Sequence, residues 1–454
     1  MADNTLIRDM TTGHPMRQLV SFSLPFMLSN LLQQAYSLAD MMIVGQMVGS
    51  AGLAAASTGG EIIFLFFFVC MGFTSSGQII VSQHIGKGNR DRIGKTVGTL
   101  FSFVFCLAVA MTVVCIVCCD WLVGIMNTPA EAYDMARVYV ITSACGNISV
   151  FGYNAIAAVL RGMGDSKHPT VFVAISASSN VILDLIFVGP LGMGVFGAAL
   201  ATILAQTAAF IASVVFIVRR REDFGFDFRP ASFRPDPTEL GTLVKLGIPI
   251  AIQSVAVNVS MLFVTACINS YGLTASAVTA VGNKISLAAT ICTSALNTAG
   301  ATIVAQCFAA RKFKRVSLTV LNCLIIGMGF CIVLTLLVVL FPEQLFGLFN
   351  RDPDVLAMSH SYASVAAISL AGFAERAAVF AFINGIGFSR LSLVGGILDG
   401  IVARIGLSIL FGNVLGLGVY GFWLGNALAG HTFSIVGIVY YIFGKWRERE
   451  PIVS

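Results

Sequence analysis

Charged side chains are scarce in this sequence: Asp, Glu, Lys and Arg make up only 11% of its 454 residues. Soluble domains average about 25% charged residues, so this composition excludes a water-soluble fold. No catalytic triad, phosphate-binding loop or ATP-binding motif is present, which argues against an enzyme and against a primary pump. The eleven cysteines lie in apolar runs or at their ends, which indicates buried apolar side chains and not a metal site.

Long apolar runs fill the chain instead, with 57% hydrophobic residues and a mean hydropathy of +0.88. A transmembrane helix needs about 20 such residues to cross the hydrocarbon of a bilayer. The N-terminal segment lacks the basic start of a signal peptide, so we expect the first helix to remain as a span. Twelve spans are predicted, at 18–45, 51–82, 94–119, 133–160, 169–189, 194–218, 241–269, 275–308, 316–341, 356–384, 391–411 and 418–443.

The basic residues cluster in alternate loops between these spans, which accounts for the net charge of +5 without a nucleic-acid partner. The rule that cytoplasmic loops are rich in Lys and Arg places these loops, and both termini, in the cytoplasm. The clusters are Lys87 to Lys95, Arg161 and Lys167, Arg219 to Arg234, Arg311 to Arg315, and Lys445 to Arg449. We therefore expect a multi-pass protein of a prokaryotic cytoplasmic (inner) membrane.

The second half of the chain repeats the first at an offset of about 223 residues. LVSFSLPFM at 19–27 corresponds to LVKLGIPIA at 243–251, and RGMGDS at 161–166 corresponds to NGIGFS at 384–389. Each half holds six spans, an even number, so the two repeats enter the membrane from the same side. Parallel repeats of this kind are typical of transporters in which two halves surround a substrate site.

The fold class that follows is an all-α integral membrane protein with two pseudo-symmetric six-helix lobes around a central cavity. Residues 1–218 form the predicted N-terminal lobe and 241–454 the C-terminal lobe. Between them, the polar and proline-bearing stretch 219–240 is predicted to be a cytoplasmic linker.

A polar stripe interrupts the apolar pattern of the fifth span. Ser176, Asn180 and Asp184 follow one another at intervals of four, so they share one helix face. Asp40 in the first span is expected at the same depth, in the outer half of the membrane. Intramembrane ionisable residues turn away from lipid and usually serve function, and two carboxylates buried side by side favour binding of a proton. Their oxygen atoms suit Na⁺ equally well.

Several segments together resemble the multidrug and toxic compound extrusion (MATE) transporters. They are QQAYSLADMMIVGQMVG at 33–49, LAAAS at 53–57, GQIIVSQHIGKGN at 77–89 and RGMGDSKHP at 161–169. The resemblance extends over essentially the whole chain. It implies export of amphiphilic, often cationic organic compounds, driven by inward flow of H⁺ or Na⁺.

The resemblance also implies roles for individual residues. Asp40, Asn180, Asp184 and Thr202 match the coupling-ion site, which holds H⁺ or Na⁺. Tyr36, Tyr139 and Asn154 match its supporting hydrogen-bond network. From the residues alone, a carboxylate buried to pair with a fixed base, or Thr, Tyr and Asn acting in helix packing, stays open as an alternative.

The second half does not repeat the acidic layer, because Asp40 and Asp184 align with Val264 and Leu407. It carries charges of its own instead. Glu61 aligns with Lys284, and this pair, with Glu375 and Arg376, is predicted to form a gate or substrate contacts, a static ion pair being the alternative. Asp399 and Arg404 carry the same ambiguity.

The function predicted from the sequence is secondary active antiport, with no cofactor and no obligate protein partner. Its partners are a small amphiphilic substrate and membrane lipid. Two alternatives stay open: a flippase for a lipid-linked anionic precursor, which would use basic residues in the cavity, and a receptor or scaffold that transports nothing.

Overall fold

The structure is a computed structural model that describes residues 7–126, 128–224 and 226–453. Residues 1–6 of the predicted N-terminal lobe, Gly225 of the predicted linker and Ser454 of the predicted C-terminal lobe lie outside that description, as does Asn127. Every regular element within the described ranges is helical. The chain is an all-α membrane protein.

The first half is built from eight helices and a short ninth. They are α1 (Pro15–Met47), α2 (Ser50–Lys87), α3 (Arg90–Val117), α4 (Cys119–Ile125), α5 (Ala130–Cys145), α6 (Asn147–Gly162), α7 (Lys167–Phe187), α8 (Gly194–Arg219) and α9 (Arg221–Phe224). A 3₁₀ helix, Pro230–Phe233, lies in the predicted linker.

The second half follows the same pattern with one irregular segment. Its α-helices are α10 (Pro237–Asn269), α11 (Leu273–Ala309), α12 (Phe313–Leu340), α13 (Pro342–Gly347), α14 (Pro353–Gly385), α15 (Ser389–Ile397), α16 (Gly406–Ile409) and α17 (Gly418–Phe443). Two π-helical segments, Leu398–Ile405 and Leu410–Val414, flank α16. A 3₁₀ helix, Trp446–Glu448, follows α17.

Ten helical stretches of the described residues are long and apolar enough to cross a membrane, counting Ser389–Val414 as one. The α5–α6 pair, bent by 47°, makes an eleventh. Helix α1 corresponds to the remaining predicted span; it has 33 residues, about 50 Å at 1.5 Å per residue. It is less apolar than the others because Gln33, Gln34 and Asp40 lie within it.

The predicted span 133–160 is not one straight helix, because the chain bends between α5 and α6 at Gly146. A Cβ at this position would lie 2.8 Å from Ile203 Cγ1 of α8. Only glycine therefore lets the bend between α5 and α6 pack this closely against α8. Bends of this size in membrane helices normally coincide with such a small residue.

Residue contacts divide the chain into two compact units: Met1–Asp9 with Leu24–Ala251, and Met10–Ser23 with Ile252–Ser454. The core of the first unit is dominated by small residues of α2, α5 and α8, such as Ala55, Ala136 and Ala198. Many larger apolar side chains are exposed on the outer faces of spans, among them Val113 and Leu336. Membrane helices pack through small residues because lipid provides no hydrophobic driving force between them.

One packing contact occurs in both units. In the first, Gly59 of α2 lies against the ring of Tyr139 of α5; in the second, Gly282 of α11 lies against the ring of Tyr362 of α14. The two glycines and the two tyrosines are each 223 positions apart, which is the offset of the sequence repeat. The repeat therefore preserves a three-dimensional contact as well as a sequence pattern.

Candidate functional site

Asp184 lies in the last turn of α7 and is completely buried. Neither of its carboxyl oxygens receives a hydrogen bond from a described residue. A buried carboxylate without a donor is costly, because it loses hydration and gains nothing in exchange. A proton or a cation bound to such a side chain would offset this cost.

Asp40 of α1 lies near Asp184, close enough for the two carboxyl groups to influence each other electrostatically. Its Oδ1 atom is buried and likewise has no donor among the described residues. Helices α1 and α7 are held together nearer the other end of α7, where Ser29 Oγ donates to Thr170 Oγ1 at 2.8 Å. Thr170 Oγ1 in turn donates to the Pro25 carbonyl oxygen at 2.8 Å. These hydrogen bonds fix the face of α1 that points at α7.

Asn180, one turn below Asp184 on α7, brings α8 into the site. Its Nδ2 donates to Thr202 Oγ1 at 3.2 Å, while its Oδ1 is buried without a donor. The structure thus brings Asp40, Asn180, Asp184 and Thr202 together within the first unit. Four of their oxygen atoms lack a donor among the described residues: Asp40 Oδ1, Asn180 Oδ1 and both carboxyl oxygens of Asp184.

The three supporting residues of the sequence prediction lie in different surroundings. Tyr139 is buried near both carboxylates. Tyr36 lies close to Asp40 and to Gln206 on α8. Asn154 instead donates to the Val150 carbonyl oxygen of its own helix at 2.8 Å. The structure therefore brings the two tyrosines to the acidic pair and gives Asn154 a backbone partner.

The donor set of this site consists of carboxyl, amide and hydroxyl oxygens. Such oxygens suit hard cations, and they equally suit a proton shared between carboxylates. Among the described residues, no group of three or more His, Cys, Asp or Glu side chains is arranged to hold a metal ion.

The charges predicted to form a gate lie in separate parts of the chain. Glu61 of α2 and Lys284 of α11 are both exposed, and they belong to different units, so their proposed pairing stays a prediction. Glu375 of α14 pairs with His431 of α17 at 2.8 Å.

The remaining charges of the second unit form one cluster. Asp399 lies 2.8 Å from Arg404 Nη2 and 3.3 Å from Arg376 Nη2. Asp399 and Arg404 are both buried. Asp399 therefore links the charge predicted on α14 with a second arginine on the π-helical segment.

Sequence reasoning missed a further buried pair, near the predicted linker. His84 at the end of α2 lies 3.3 Å from Glu239 in the first turn of α10, and both are buried. Thr96 Oγ1 of α3 also donates to Glu239, at 3.0 Å. The signal was a histidine at the basic end of a span and an acid at the start of another helix.

Comparison with known proteins decides the family. A family model named MatE matches residues 25–186 and again 249–418, which together are well over half of the chain. The chain belongs to the MatE family. The two matches have nearly the spacing of the sequence repeat, so each half resembles the same unit.

A curated relative and two solved structures extend this likeness to whole chains. "Probable multidrug resistance protein YpnP" of Bacillus subtilis is 26% identical over 97% of this chain and 98% of its own. Crystal structures of MATE in a bent and in a straight conformation are each 21% identical. Their TM-scores are 0.85 and 0.86, covering 96% of this chain and of the first structure, and 98% of this chain and of the second.

As a MatE member, the chain is a multi-pass membrane transporter of the multidrug efflux family and not an enzyme. Small molecules are the substrates of this family. The two solved structures with this fold are in a bent and in a straight conformation. Alternating access, in which the site faces each side of the membrane in turn, is the transport mode that such a pair of conformations supports.

Proposed function

We propose that this MatE transporter is an antiporter that exports amphiphilic, often cationic organic compounds in exchange for inward H⁺ or Na⁺. The coupling ion binds at Asp40, Asn180, Asp184 and Thr202, and Tyr36 and Tyr139 line the site. The protein acts in a prokaryotic cytoplasmic membrane, with both termini in the cytoplasm.

The observation that carries this proposal is the group of four buried oxygens without a donor, around Asp184. Two facing carboxylates repel each other when both are charged, and burial strengthens this repulsion. A proton or Na⁺ between them removes the repulsion. Binding and release of that cation therefore change how closely α1 and α7 pack, which is the kind of two-state element that coupling requires.

The free energy of the ion gradient limits the substrate gradient that one coupling ion can support. Exchange of one monovalent cation for one H⁺ moves no net charge, so only the pH gradient drives it, at about 1.4 kcal/mol per pH unit. A gradient of one unit then supports at most about a ten-fold substrate gradient. A neutral substrate, or a second ion, adds the membrane potential at about 2.3 kcal/mol per 100 mV.

The test is ethidium efflux from proteoliposomes, driven first by a pH gradient and then by a Na⁺ gradient. We compare the wild type, Asp184→Asn, and Asp91→Asn, whose side chain is exposed at the start of α3. Asn keeps the size of Asp184 but neither takes up a proton nor neutralises Na⁺. We expect one gradient to drive efflux in the wild type and Asp91→Asn, and neither gradient to drive it in Asp184→Asn.

Efflux that Asp184→Asn leaves unchanged would overturn the coupling role of this carboxyl group. Failure of both gradients to drive efflux of ethidium, rhodamine 110 and rhodamine 123 in the wild type would overturn antiport itself.

A further inference from the structure

The second unit contains a cavity of about 400 Å³, which falls in the range of small-molecule sites. All its lining residues come from α10, α11, α14 and α17 of this unit. Three aromatic side chains, Tyr362, Phe373 and Trp423, contribute to its wall. Trp423 is held in place, since its Nε1 donates to Thr279 Oγ1 at 2.9 Å. The cavity thus offers flat apolar surfaces for an aromatic molecule.

One lining residue is charged, and it is a cation. Arg376 lines the cavity together with uncharged polar side chains such as Ser286, Ser369 and Asn426, and no carboxylate is among the described lining residues. This is the reverse of the first unit, whose polar layer consists of acceptors. The charge of Arg376 therefore favours an anionic group in this cavity and gives a cationic group no advantage.

Arg376 is only partly neutralised. Its nearest carboxylate, Asp399, lies closer to Arg404, at 2.8 Å, than to Arg376, at 3.3 Å. The other contact of Arg376 Nη2 is the Gly430 carbonyl oxygen at 3.5 Å, and Nε has no partner among the described residues. Two arginines thus share one carboxylate, which leaves the cluster with one positive charge.

Glu375, the neighbour of Arg376 on α14, does not cancel that charge. Its carboxylate lies 2.8 Å from His431 Nδ1, while His431 Nε2 lies 2.9 Å from the Ile368 carbonyl oxygen. Both ring nitrogens face acceptors, so the pair holds a proton between Glu375 and His431 and is neutral overall. Glu375 also lines a different cavity, whose wall includes Lys314.

We infer that this cavity binds an aromatic amphiphile through a carboxylate on the molecule, held by the guanidinium of Arg376. Arginine binds carboxylates strongly because its planar group offers parallel N–H donors. A surplus charge that is largely shielded from water is costly until such an anion compensates it. The inference rests on the proposed function and deepens it: it assigns the carboxylate of such an amphiphile to Arg376 in the second unit.

The test uses two dyes that differ only at the carboxyl group. Rhodamine 110 carries a free carboxylate, and rhodamine 123 is its methyl ester. Their dissociation constants are measured by fluorescence anisotropy with the full-length protein in nanodiscs, without any ion gradient. The variants are Arg376→Gln, Arg376→Lys and, as a matched control, Arg390→Gln, an exposed arginine of α15.

We expect Arg376→Gln to weaken binding of rhodamine 110 about ten-fold or more, as for the loss of a charge-assisted hydrogen bond. Rhodamine 123 should change by less than about two-fold, and Arg390→Gln should match the wild type for both dyes. Arg376→Lys should recover part of the rhodamine 110 affinity, which also shows that the variants fold.

Equal weakening of both dyes, or of neither, in Arg376→Gln would overturn the inference. So would displacement of rhodamine 110 by a short-chain phosphatidic acid but not by 2-naphthoate, because the site would then take a lipid phosphate. Binding needs no gradient, so this result is independent of coupling: the proposed antiport fails only if ion-driven efflux is absent.

Discussion

The contact between Gly59 and Tyr139 gives a sharp prediction about how the coupling site is built. Tyr139 lies near Asp40 and Asp184, and its ring packs directly on the backbone of α2 at Gly59. A Cβ at Gly59 would lie 2.5 Å from Tyr139 Cδ1. Carbon atoms prefer about 3.5–4.0 Å, so Gly59→Ala must move the ring or the helix by about 1 Å.

The size of the stability change in Gly59→Ala follows from the tight packing of protein interiors. Overpacking by a single methyl group destabilises typical cores by about 1–3 kcal/mol. Alanine is also the better helix former, by up to about 1 kcal/mol, which opposes the loss. We therefore expect Gly59→Ala to lower stability by about 1–2 kcal/mol and to slow ion-driven ethidium efflux, because Tyr139 moves relative to the carboxylates.

The assay is heat-induced loss of the monodisperse peak on size-exclusion chromatography, measured alongside efflux. Gly329→Ala is the matched control, since a Cβ there would have no atom within 4 Å. It should leave the apparent melting temperature unchanged or raise it. Tyr139→Ala combined with Gly59→Ala should cost little more than Tyr139→Ala alone, because removing the ring removes the overlap.

Two results would refute this reasoning. One is a melting temperature of Gly59→Ala equal to that of Gly329→Ala, which would mean that no close contact exists. The other is full additivity in the double variant, which would mean that the cost of Gly59→Ala does not arise from the ring.

Two further predictions concern acidic residues of the predicted linker, Glu239 and Asp236. Glu239→Ala should lower stability by about 1–3 kcal/mol, since it leaves His84 Nε2 buried without its partner; thermal unfolding at neutral pH checks this. Partial burial alone would raise the pKa of Asp236, but the backbone N–H groups of Glu239 and Thr238 and the charge of Lys95 outweigh it, so its pKa lies below the usual 3.8. The stabilisation by Asp236 should therefore be complete above about pH 4 and be lost as the pH falls through the lowered value, seen as faster hydrogen exchange at residues 230–240.

Much of the fold was predictable because the length and apolar composition of a membrane-spanning helix identify it in the sequence. All twelve predicted spans correspond to helical stretches, and the bounds differ by a few residues. The bend at Gly146 was not predictable, because it depends on Ile203 of another helix. Helix α10 begins at Pro237, within the predicted linker, because the side chain of Asp236 accepts hydrogen bonds from the first free N–H groups of the helix.

The candidate site, like the fold, was predictable only in part. Counting residues from the ends of their spans predicts one depth for Asp40 and Asp184, and the structure brings the two carboxyl groups near each other. The partner of Asn154 was not foreseen, since a sequence does not show whether an amide turns to its own backbone. The roles of these residues in coupling stay predictions.

The cluster around Asp399 shows a physical limit of sequence reasoning. Asp399 and Arg404 are five residues apart, and in an α-helix residues at this spacing point about 140° away from each other. The segment Leu398–Ile405 is π-helical, with a wider turn that brings positions i and i+5 together. Because nothing in the local sequence requires a π-helix, periodicity did not predict this ion pair.

The repeat explains how one fold holds two different polar environments. Gly59 and Tyr139 in the first unit, and Gly282 and Tyr362 in the second, keep the same close contact between equivalent helices. Around the first tyrosine lie acceptors that lack donors, whereas the second lines a cavity whose one charged side chain is Arg376. A duplicated scaffold thus preserves the packing that sets helix positions while the polar residues diverge. Gly282→Ala should therefore disturb rhodamine 110 binding without altering the ion preference of efflux, whereas Gly59→Ala should slow ion-driven efflux and leave rhodamine 110 affinity unchanged.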